Sequence, residues 1–589
     1  MAETLLDKRV EEFLKELPQA NKQEIAEFRS LVEQYFLGTI TPDEFKAKRL
    51  HMGTYGIRGT KDVHMMRVKI PAGDLTPEQL ECLADVADVH SKGSGHFTTR
   101  QSIQLYWIPT QGAGAVMAKL ATVGLTTREA CSNSVRNITA CPYAGISREE
   151  VFDVTQHAKA VMQHFLRNTA SQKLPRKFKI ALEGCKTDHA VTSVHDAAAV
   201  AAIKDVNGKK TLGFRIYAGG GLGAAPRQAI LIEPFTPATD LLRTLESVVR
   251  VHDRLGDRKN KATARVKFVV KRLGEDAFRK EVFAERDKLP AYTYPEMNVT
   301  ETDEKPPATS KIDAPAKSDA AYPRWLVTNV MRQKQPGFSA VTVRLRLGDI
   351  SSKQMRDLAA ISRKFCGGRV RTTIDQNLLL RWVRDEHLAA LHAALLAIGL
   401  ADAEANLLQD VISCPGAETC QLGIAASRGL ARAVEDGIKA SKLAGDDLDK
   451  IRIKISGCPN SCGQHHIADI GFFGGSRNVN GKLAPHFQLM LGGLATEGVA
   501  VFGQNVIKLP ARRIPDAITA ILSAYRADRQ SPAESFRDFS RRVGLDFWKK
   551  KLEPFTSLPA FEQSPELYRD WGAETDFSMG GMGPGECAA

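Results

Sequence analysis

Apolar side chains recur at helical or strand spacing along most of the chain. Over residues 1 to about 60, Leu5, Val10, Phe13 and Leu14 stand at near-helical spacing and predict an N-terminal helical segment that ends in a turn at residues 53–56. Further on, the pattern alternates between strand and helix, with mixed loops. We therefore expect an α+β fold with ferredoxin-like units beside larger mixed α/β sheets.

This pattern occurs twice. The segment that starts at Arg67 and ends at Leu125 recurs from Arg344 to Leu400. Further along, equivalent positions keep one offset of 273 residues, and three anchors at one offset predict two homologous, pseudosymmetric halves. The anchors are Cys141 with Cys414, Cys185 with Cys458, and Gly219 with Gly492.

The repeat suggests a division of the chain into seven segments. Residues 299–322 carry proline and charge with almost no apolar side chains, which is typical of a linker. We expect an N-terminal helical segment (1–60), a first ferredoxin-like repeat (61–130), a larger domain (131–298), the linker, a second ferredoxin-like repeat (323–403), a second larger domain (404–550) and a flexible C-terminal tail (551–589) that contains Cys587.

Composition restricts the class of protein. A chain of 589 residues with 43% hydrophobic and 25% charged residues is typical of a soluble protein of several domains. No apolar run is long enough to span a membrane and the N-terminus lacks a signal-peptide pattern, so we expect a cytoplasmic protein without a membrane partner. The net charge of +13 favours an acidic partner, which could be nucleic acid, an acidic protein, an anionic substrate or a polycarboxylate cofactor.

Four cysteines form two close pairs, spaced Cys-x5-Cys and Cys-x3-Cys. Thiolates converging from two loops predict a metal centre, and these spacings differ from common zinc and ferredoxin motifs, although zinc remains an alternative. Positions 147 and 189, which correspond to two of these cysteines, are serine and histidine, so we expect metal in the second half only. The four are Cys414, Cys420, Cys458 and Cys462.

Basic residues suggest an anion site in the first half. Lys177 and Lys179 alternate with Phe178 and Ile180, so both ammonium groups would project from one face of a strand. Two adjacent cations lower each other's pKa, which suits the pair to bind an anion and release a proton, although a solvated strand face is equally compatible. No dinucleotide or Walker motif is present, so electrons would arrive from another protein.

With these motifs, over about residues 50–550, the chain resembles the siroheme-dependent sulfite/nitrite reductase hemoprotein family. The resemblance rests on the cysteine motifs, Thr98-Thr-Arg-Gln, Val135-Arg-Asn and Leu174-Pro-Arg-Lys-Phe-Lys. It implies siroheme and a 4Fe-4S cluster between the halves, with residues 131–298 binding siroheme and substrate and 404–550 binding cluster and siroheme. It also implies that all four paired cysteines ligate the cluster and that Cys462 is the axial ligand of the siroheme iron.

The resemblance implies further roles for individual residues. Tyr55 and Cys131 match positions that are covalently linked in some members. The residues that match the anion cage are Arg67, Arg136, Lys177 and Lys179, and those in segments that contact siroheme are Arg100, Gln101, Arg265, Lys267, Gln376 and Asn460.

The function implied by this resemblance is the six-electron reduction of sulfite to sulfide, with electrons from ferredoxin or a flavoprotein subunit. Reduction of nitrite to ammonia is the alternative; nitrite-type members usually have asparagine where this chain has Lys179, which favours sulfite. A second class is a zinc-stabilised, basic nucleic-acid-binding protein. No recognition helix or aromatic stripe supports this class, so we expect no nucleic-acid partner.

Overall fold

The structure is a computed structural model that describes residues 5–290, 304–308, 312, 319–443, 445, 447–583 and 586. Cys587 and most of the predicted linker lie outside these residues. Within the described ranges, no helix combines the length and the apolar character needed to cross a membrane.

The N-terminal third contains a helical segment followed by a small α/β unit. The helical segment ends in a turn at Gly53, which has a positive φ. The predicted turn was expected to continue to Gly56, and this part is wrong, because Thr54–Gly56 forms a strand. The elements are α1 (Leu5–Lys8), α2 (Val10–Lys15), α3 (Gln19–Phe36), α4 (Pro42–Arg49), β1 (Thr54–Gly56), β2 (Val63–Val68), β3 (Asp74–Leu75), α5 (Pro77–His90), β4 (Ser94–Phe97), β5 (Ile103–Pro109) and α6 (Ala113–Ala121).

A larger mixed unit follows, built on a five-stranded sheet with the order β10-β9-β8-β7-β6. Strands β6, β7 and β8 pair in parallel, whereas the β8–β9 and β9–β10 pairs are antiparallel. The elements are β6 (Thr139–Ala140), α7 (Thr155–Phe165), β7 (Ile180–Glu183), β8 (Ala197–Val206), β9 (Lys209–Ala218), β10 (Ile230–Pro237), α8 (Leu241–Leu255), α9 (Val266–Leu273) and α10 (Glu275–Lys288).

The second half repeats this order of a small unit and a larger unit. Its larger sheet has the order β16-β17-β18-β19-β22. The elements are α11 (Tyr322–Asn329), β11 (Val330–Arg332), β12 (Phe338–Val343), β13 (Asp349–Ser351), α12 (Ser352–Cys366), β14 (Val370–Thr372), β15 (Leu378–Arg384), α13 (Leu388–Ala397), β16 (Ile412–Ser413), α14 (Ser427–Ser441), β17 (Ile453–Ser456), β18 (Ile470–Val479), β19 (Lys482–Leu491), β20 (Leu494–Thr496), β21 (Val499–Val501), β22 (Gln504–Pro510), α15 (Ile514–Asp528) and α16 (Phe536–Leu552).

The two halves are homologous, as the sequence predicts. Strands β16 to β19 each begin 273 residues after β6 to β9, respectively. Asp196 accepts a hydrogen bond from the backbone of Lys179, and Asp469, its counterpart, accepts one from the backbone of Arg452, both at 2.9 Å. The α+β prediction with two pseudosymmetric halves is therefore confirmed.

The small units exchange edge strands. Strand β13 of the second half pairs with β4 of the first, and β3 of the first half pairs with β14 of the second. One apolar core contains buried residues of both units, including Leu83 and Leu358, and helices α5 and α12 pack against each other in it. The halves therefore hold each other in place, and the cavities described below lie between them.

The described part of the C-terminal tail packs back onto the first half, unlike the flexible tail expected from its composition. The guanidinium group of Arg58 donates a hydrogen bond to the Gly580 carbonyl. The Glu586 carboxylate accepts hydrogen bonds from Arg49 and from the backbone of Gly56. The tail therefore covers strand β1 with a nearly buried ion pair.

Candidate functional site

The four paired cysteines of the second half line a single cavity between the halves. Cys414 follows β16 and Cys458 follows β17, so the ends of two parallel neighbouring strands bring both pairs to one edge of the sheet. The backbone N–H of Gly457 donates to Cys414 Sγ at 3.2 Å, an interaction that stabilises a thiolate. The fold therefore brings the two sequence-distant pairs to one cavity.

Glycines allow the two cysteine loops to approach each other. A Cβ atom at Gly457 would lie 2.5 Å from the Cα atom of Gly416, closer than non-bonded carbon atoms can approach. Gly416 itself has a φ of +57°, in the left-handed region that favours glycine. Larger side chains at these positions would therefore push the two loops apart.

No three of these four sulfur atoms lie as close together as the ligands of a single zinc ion would. Within the described residues, the only group of three or more potential ligand atoms that all lie within 4.8 Å of one another is a different one, around Cys141. Ligands of one tetrahedral zinc ion would stand about 3.8 Å apart. Burial and the neighbouring Cys462 and Cys414 raise the pKa of Cys458, and a bound metal would offset this effect by stabilising the thiolate form.

A second cavity adjoins the first and is strongly cationic. Cys462 and Cys414 line both cavities, so this thiolate pair stands between them. Five arginine and lysine side chains line the second cavity, and none of its described lining residues is a carboxylate. Such a cavity suits an oxyanion and a polycarboxylate macrocycle. The five are Arg67, Arg100, Arg136, Lys177 and Lys179.

Lys177 and Lys179 reach this cavity from the extended segment that enters β7. Phe178 and Ile180 alternate with them and are fully buried, which places both lysines on the opposite face, as predicted. Burial, together with the positive charges of Arg100, Arg265 and Lys177, holds the pKa of Lys179 well below its usual value. The Lys179 ammonium group is therefore poised to release a proton.

Arg136 and Arg67 lie beside Tyr55. The guanidinium group of Arg136 donates to Tyr55 Oη at 3.2 Å and to backbone carbonyls at Ala130 and Ser132. The guanidinium carbon of Arg67 lies 5.6 Å from the centre of the Tyr55 ring. Tyr55 and Cys131 pack in one small apolar cluster, so the two residues of the predicted covalent link are close neighbours.

Arg100 presents an unused donor beside the cationic cavity. Its terminal nitrogens bind His195 Nε2 and the Asn137 carbonyl, but its buried Nε atom has no hydrogen-bond partner among the described residues. Gln376 and Asn460 line the second and the first cavity, respectively. All three residues are therefore placed to contact a bound cofactor.

Three residues expected to contact siroheme point elsewhere. The Gln101 side chain bridges the halves, donating to the Thr372 carbonyl and accepting from the backbone of Ala140. Arg265 pairs with the buried Asp196, and Lys267 donates to backbone carbonyls of the 221–225 loop. None of the three is among the described residues that line the two cavities.

Sequence reasoning missed Gln104, which lines both cavities. It pairs with Arg67 across strands β2 and β5. Ser102 directly precedes β5, and Gln104 and Tyr106 follow it at every second position, so polar side chains at period two in an apolar strand were the available signal.

Two domain families match the chain. The "Nitrite and sulphite reductase 4Fe-4S domain" matches residues 131–290 and 404–557, and the "Nitrite/Sulfite reductase ferredoxin-like half domain" matches residues 55–123 and 331–398. Each matches once in each half, which agrees with the internal repeat.

Individual proteins are similar over most of their length. The chain is 28% identical to an assimilatory ferredoxin-dependent nitrite reductase of Haloferax mediterranei, covering 84% of this chain and 85% of that protein. It is 29% identical to a ferredoxin sulfite reductase of Mycobacterium tuberculosis, covering 73% of each. The solved structure of Mycobacterium tuberculosis NirA matches with a TM-score of 0.75 and 26% identity, over 90% of this chain and 98% of that one.

Proposed function

Because this chain belongs to the nitrite and sulphite reductase family, we propose that it catalyses the six-electron reduction of sulfite to sulfide. The observation that carries the proposal is the carboxylate-free cavity in which four candidate anion-binding side chains face Cys462. The earlier alternative of a zinc-stabilised nucleic-acid-binding protein is wrong, because the family is one of reductases.

The cofactors are siroheme and a 4Fe-4S cluster. We propose Cys414, Cys420, Cys458 and Cys462 as cluster ligands, with Cys462, which lines both cavities, also the axial ligand of the siroheme iron. When bound, these groups would supply the electrons for the reduction.

The chain's own side chains bind and orient the substrate. We propose that Arg67, Arg136 and Lys177 bind the sulfite oxygens as cationic donors. Arg136 is held by backbone carbonyls at Ala130 and Ser132, so little reorganisation is required when the anion binds. Tyr55 Oη accepts a hydrogen bond from Arg136 and so helps to hold its guanidinium group in place.

Lys179 has the separate role of proton donor. Each sulfur–oxygen bond that breaks requires protons if the oxygen is to leave as water. The neighbouring cations lower the pKa of the Lys179 ammonium group, so its Nζ–H releases a proton more readily than that of an exposed lysine. We propose that Nζ delivers protons to the departing oxygen and is reprotonated from solvent.

Ferredoxin is the proposed electron donor. Relatives of this chain are named as ferredoxin-dependent nitrite and sulfite reductases. The net charge of +13 favours an acidic protein partner of this kind.

Nitrite is the second candidate substrate, because the relatives include nitrite reductases with a similar degree of identity. The test is to measure sulfide and ammonium release from each substrate, with reduced methyl viologen as donor, in the wild type and in Lys179→Asn. We expect the wild type to prefer sulfite, and Lys179→Asn to lose about a hundredfold in sulfite turnover while its relative preference shifts towards nitrite.

Exposed Lys549→Asn is the matched control, because this side chain lies far along the chain in a surface ion pair. Equal turnover of sulfite and nitrite in both the wild type and Lys179→Asn would refute the proposal that Lys179 favours sulfite over nitrite.

A further inference from the structure

The first half contains a compact cluster of ligand atoms where the second half holds its paired cysteines. Cys141, Glu183, Cys185 and His189 each offer one ligand atom, and these four atoms all lie within 4.8 Å of one another. Cys141 follows β6, and Glu183 ends β7, the strand that Lys179 precedes. Cys141, Cys185 and His189 occupy the positions that correspond to Cys414, Cys458 and Cys462.

Two of the separations among these atoms match those around a single tetrahedral ion. The Sγ atoms of Cys141 and Cys185 are 3.6 Å apart, and Cys141 Sγ lies 3.5 Å from His189 Nδ1. With Zn–S near 2.3 Å and Zn–N near 2.0 Å, ligands at tetrahedral angles stand about 3.5–3.8 Å apart. The sulfur separation is far longer than the roughly 2.05 Å of a disulfide bond.

The surroundings preorganise these atoms. Glu183 is fully buried and accepts hydrogen bonds from the backbone N–H groups of Cys185 (2.8 Å), His189 (2.6 Å) and Ala190 (3.0 Å), which fixes the loop that carries two of the ligands. Its Oε1 atom lies 3.9 Å from His189 Nδ1. The His189 ring packs edge-on against Tyr143, and its side chain keeps 26% exposure.

We propose that Cys141, Cys185, His189 and Glu183 bind one zinc ion in the first half. Two thiolates, an imidazole and a carboxylate are a donor set that zinc accepts. Two cysteines are too few for an iron–sulfur cluster held by four thiolates. The pseudosymmetric halves would thus carry different metals at equivalent positions, which revises the expectation of metal in the second half only.

Zinc at this position would have a structural role. It would join the end of β6, the end of β7 and the 185–190 loop, and so stabilise the strand that Lys179 precedes. The proposal does not depend on which anion the enzyme reduces.

The direct test uses crystals of the wild-type holoprotein and anomalous diffraction above and below the zinc absorption edge. We expect an anomalous peak among Cys141 Sγ, Cys185 Sγ and His189 Nδ1 that is strong above this edge and nearly disappears below it. A Cys141–Cys185 disulfide, iron at this position, or no anomalous peak would each overturn the proposal.

Metal analysis of variants provides the second test. After dialysis against EDTA, the wild type should retain about one zinc per chain, and Cys141→Ser and His189→Ala should each lower the zinc content at least about tenfold. Iron content and siroheme absorbance, measured on the same samples, should be retained, which separates loss of this site from loss of the fold. Cys82→Ser and Cys366→Ser, which change buried cysteines away from the cluster, are matched controls and should retain zinc. Zinc retained in Cys141→Ser would contradict the assignment.

Discussion

At the scale of single residues, the chemistry of the site depends on five cationic side chains in one cavity whose described lining contains no carboxylate. Lys179 has an ordinary side chain, but it shares its cavity with Arg67, Arg100, Arg136 and Lys177. Burial disfavours the ammonium form and lowers the pKa of Lys179, and the neighbouring cations add to this effect. The same arrangement therefore attracts an oxyanion and makes Lys179 a stronger acid.

The lowered pKa of Lys179 predicts an alkaline limit to sulfite reduction. An ammonium group is protonated below its pKa, so kcat of the wild type should fall as pH rises through a value below the ordinary lysine pKa of about 10.4. In Lys179→Arg the guanidinium group stays charged over this pH range. The fall in kcat at alkaline pH should therefore disappear, while the maximal kcat falls about a hundredfold. The measurement is kcat with reduced methyl viologen from neutrality to pH 10.4. The same fall in kcat at alkaline pH in Lys179→Arg as in the wild type would contradict the proposed role of Lys179 as proton donor.

At the scale of elements, exchanged strands make the two halves dependent on each other. Asp74 in β3 lies opposite Arg371 in β14, and the two side chains form an ion pair at 2.7 Å. Burial raises the pKa of Asp74, but Arg371, Arg381 and Lys159 outweigh this effect and hold it below its usual range. The strand exchange is thus reinforced by a charge interaction.

This ion pair predicts a specific acid sensitivity. A carboxylate with a depressed pKa contributes stability above its unfolded pKa of about 3.9, and that stability is lost as pH falls through the folded value. Asp74→Asn should lower the free energy of unfolding at neutral pH by about 1–3 kcal/mol and should weaken its dependence on pH below about 4. Urea unfolding followed by tryptophan fluorescence measures both effects.

The exposed Asp546→Asn serves as the control for this experiment, and it should change neither the stability nor its acid dependence. The same acid dependence in Asp74→Asn and in the wild type would show that the ion pair does not stabilise the folded state.

At the scale of the whole molecule, the net charge of +13 affects how the enzyme binds its electron donor rather than how the chain folds. Salt screens the attraction between a basic enzyme and an acidic carrier, so KM for reduced ferredoxin should rise at least about tenfold between about 0.01 M and 0.3 M salt. Turnover with reduced methyl viologen, a small donor, should change much less over the same range. Salt-independent kinetics with ferredoxin would argue against this donor.

Much of the architecture was predictable because the amino-acid sequence shows local periodicity and an internal repeat. The offset of 273 residues indicated two halves, and it extends to strands, to the turns at Gly219 and Gly492, and to backbone hydrogen bonds. The cysteine spacing indicated a metal centre for a similar reason, since ligands close in sequence cannot be far apart in space. The alternation around Phe178 correctly placed both lysines on one face.

Only the tertiary structure decided which distant side chains share a cavity. Gln101 and Gln376 occupy similar motifs and each donates to a backbone carbonyl of the other half, at Thr372 and Phe97 respectively, yet only Gln376 is among the described residues that line the cationic cavity. The exchange of β3 and β13, the place of Gln104 and the convergence around Cys141 likewise join residues that are far apart in the chain. The sequence by itself determined the elements, the repeat and the ligand types, because these depend on neighbouring residues. The environment of each side chain depends on long-range packing, and so the tertiary structure alone determined it.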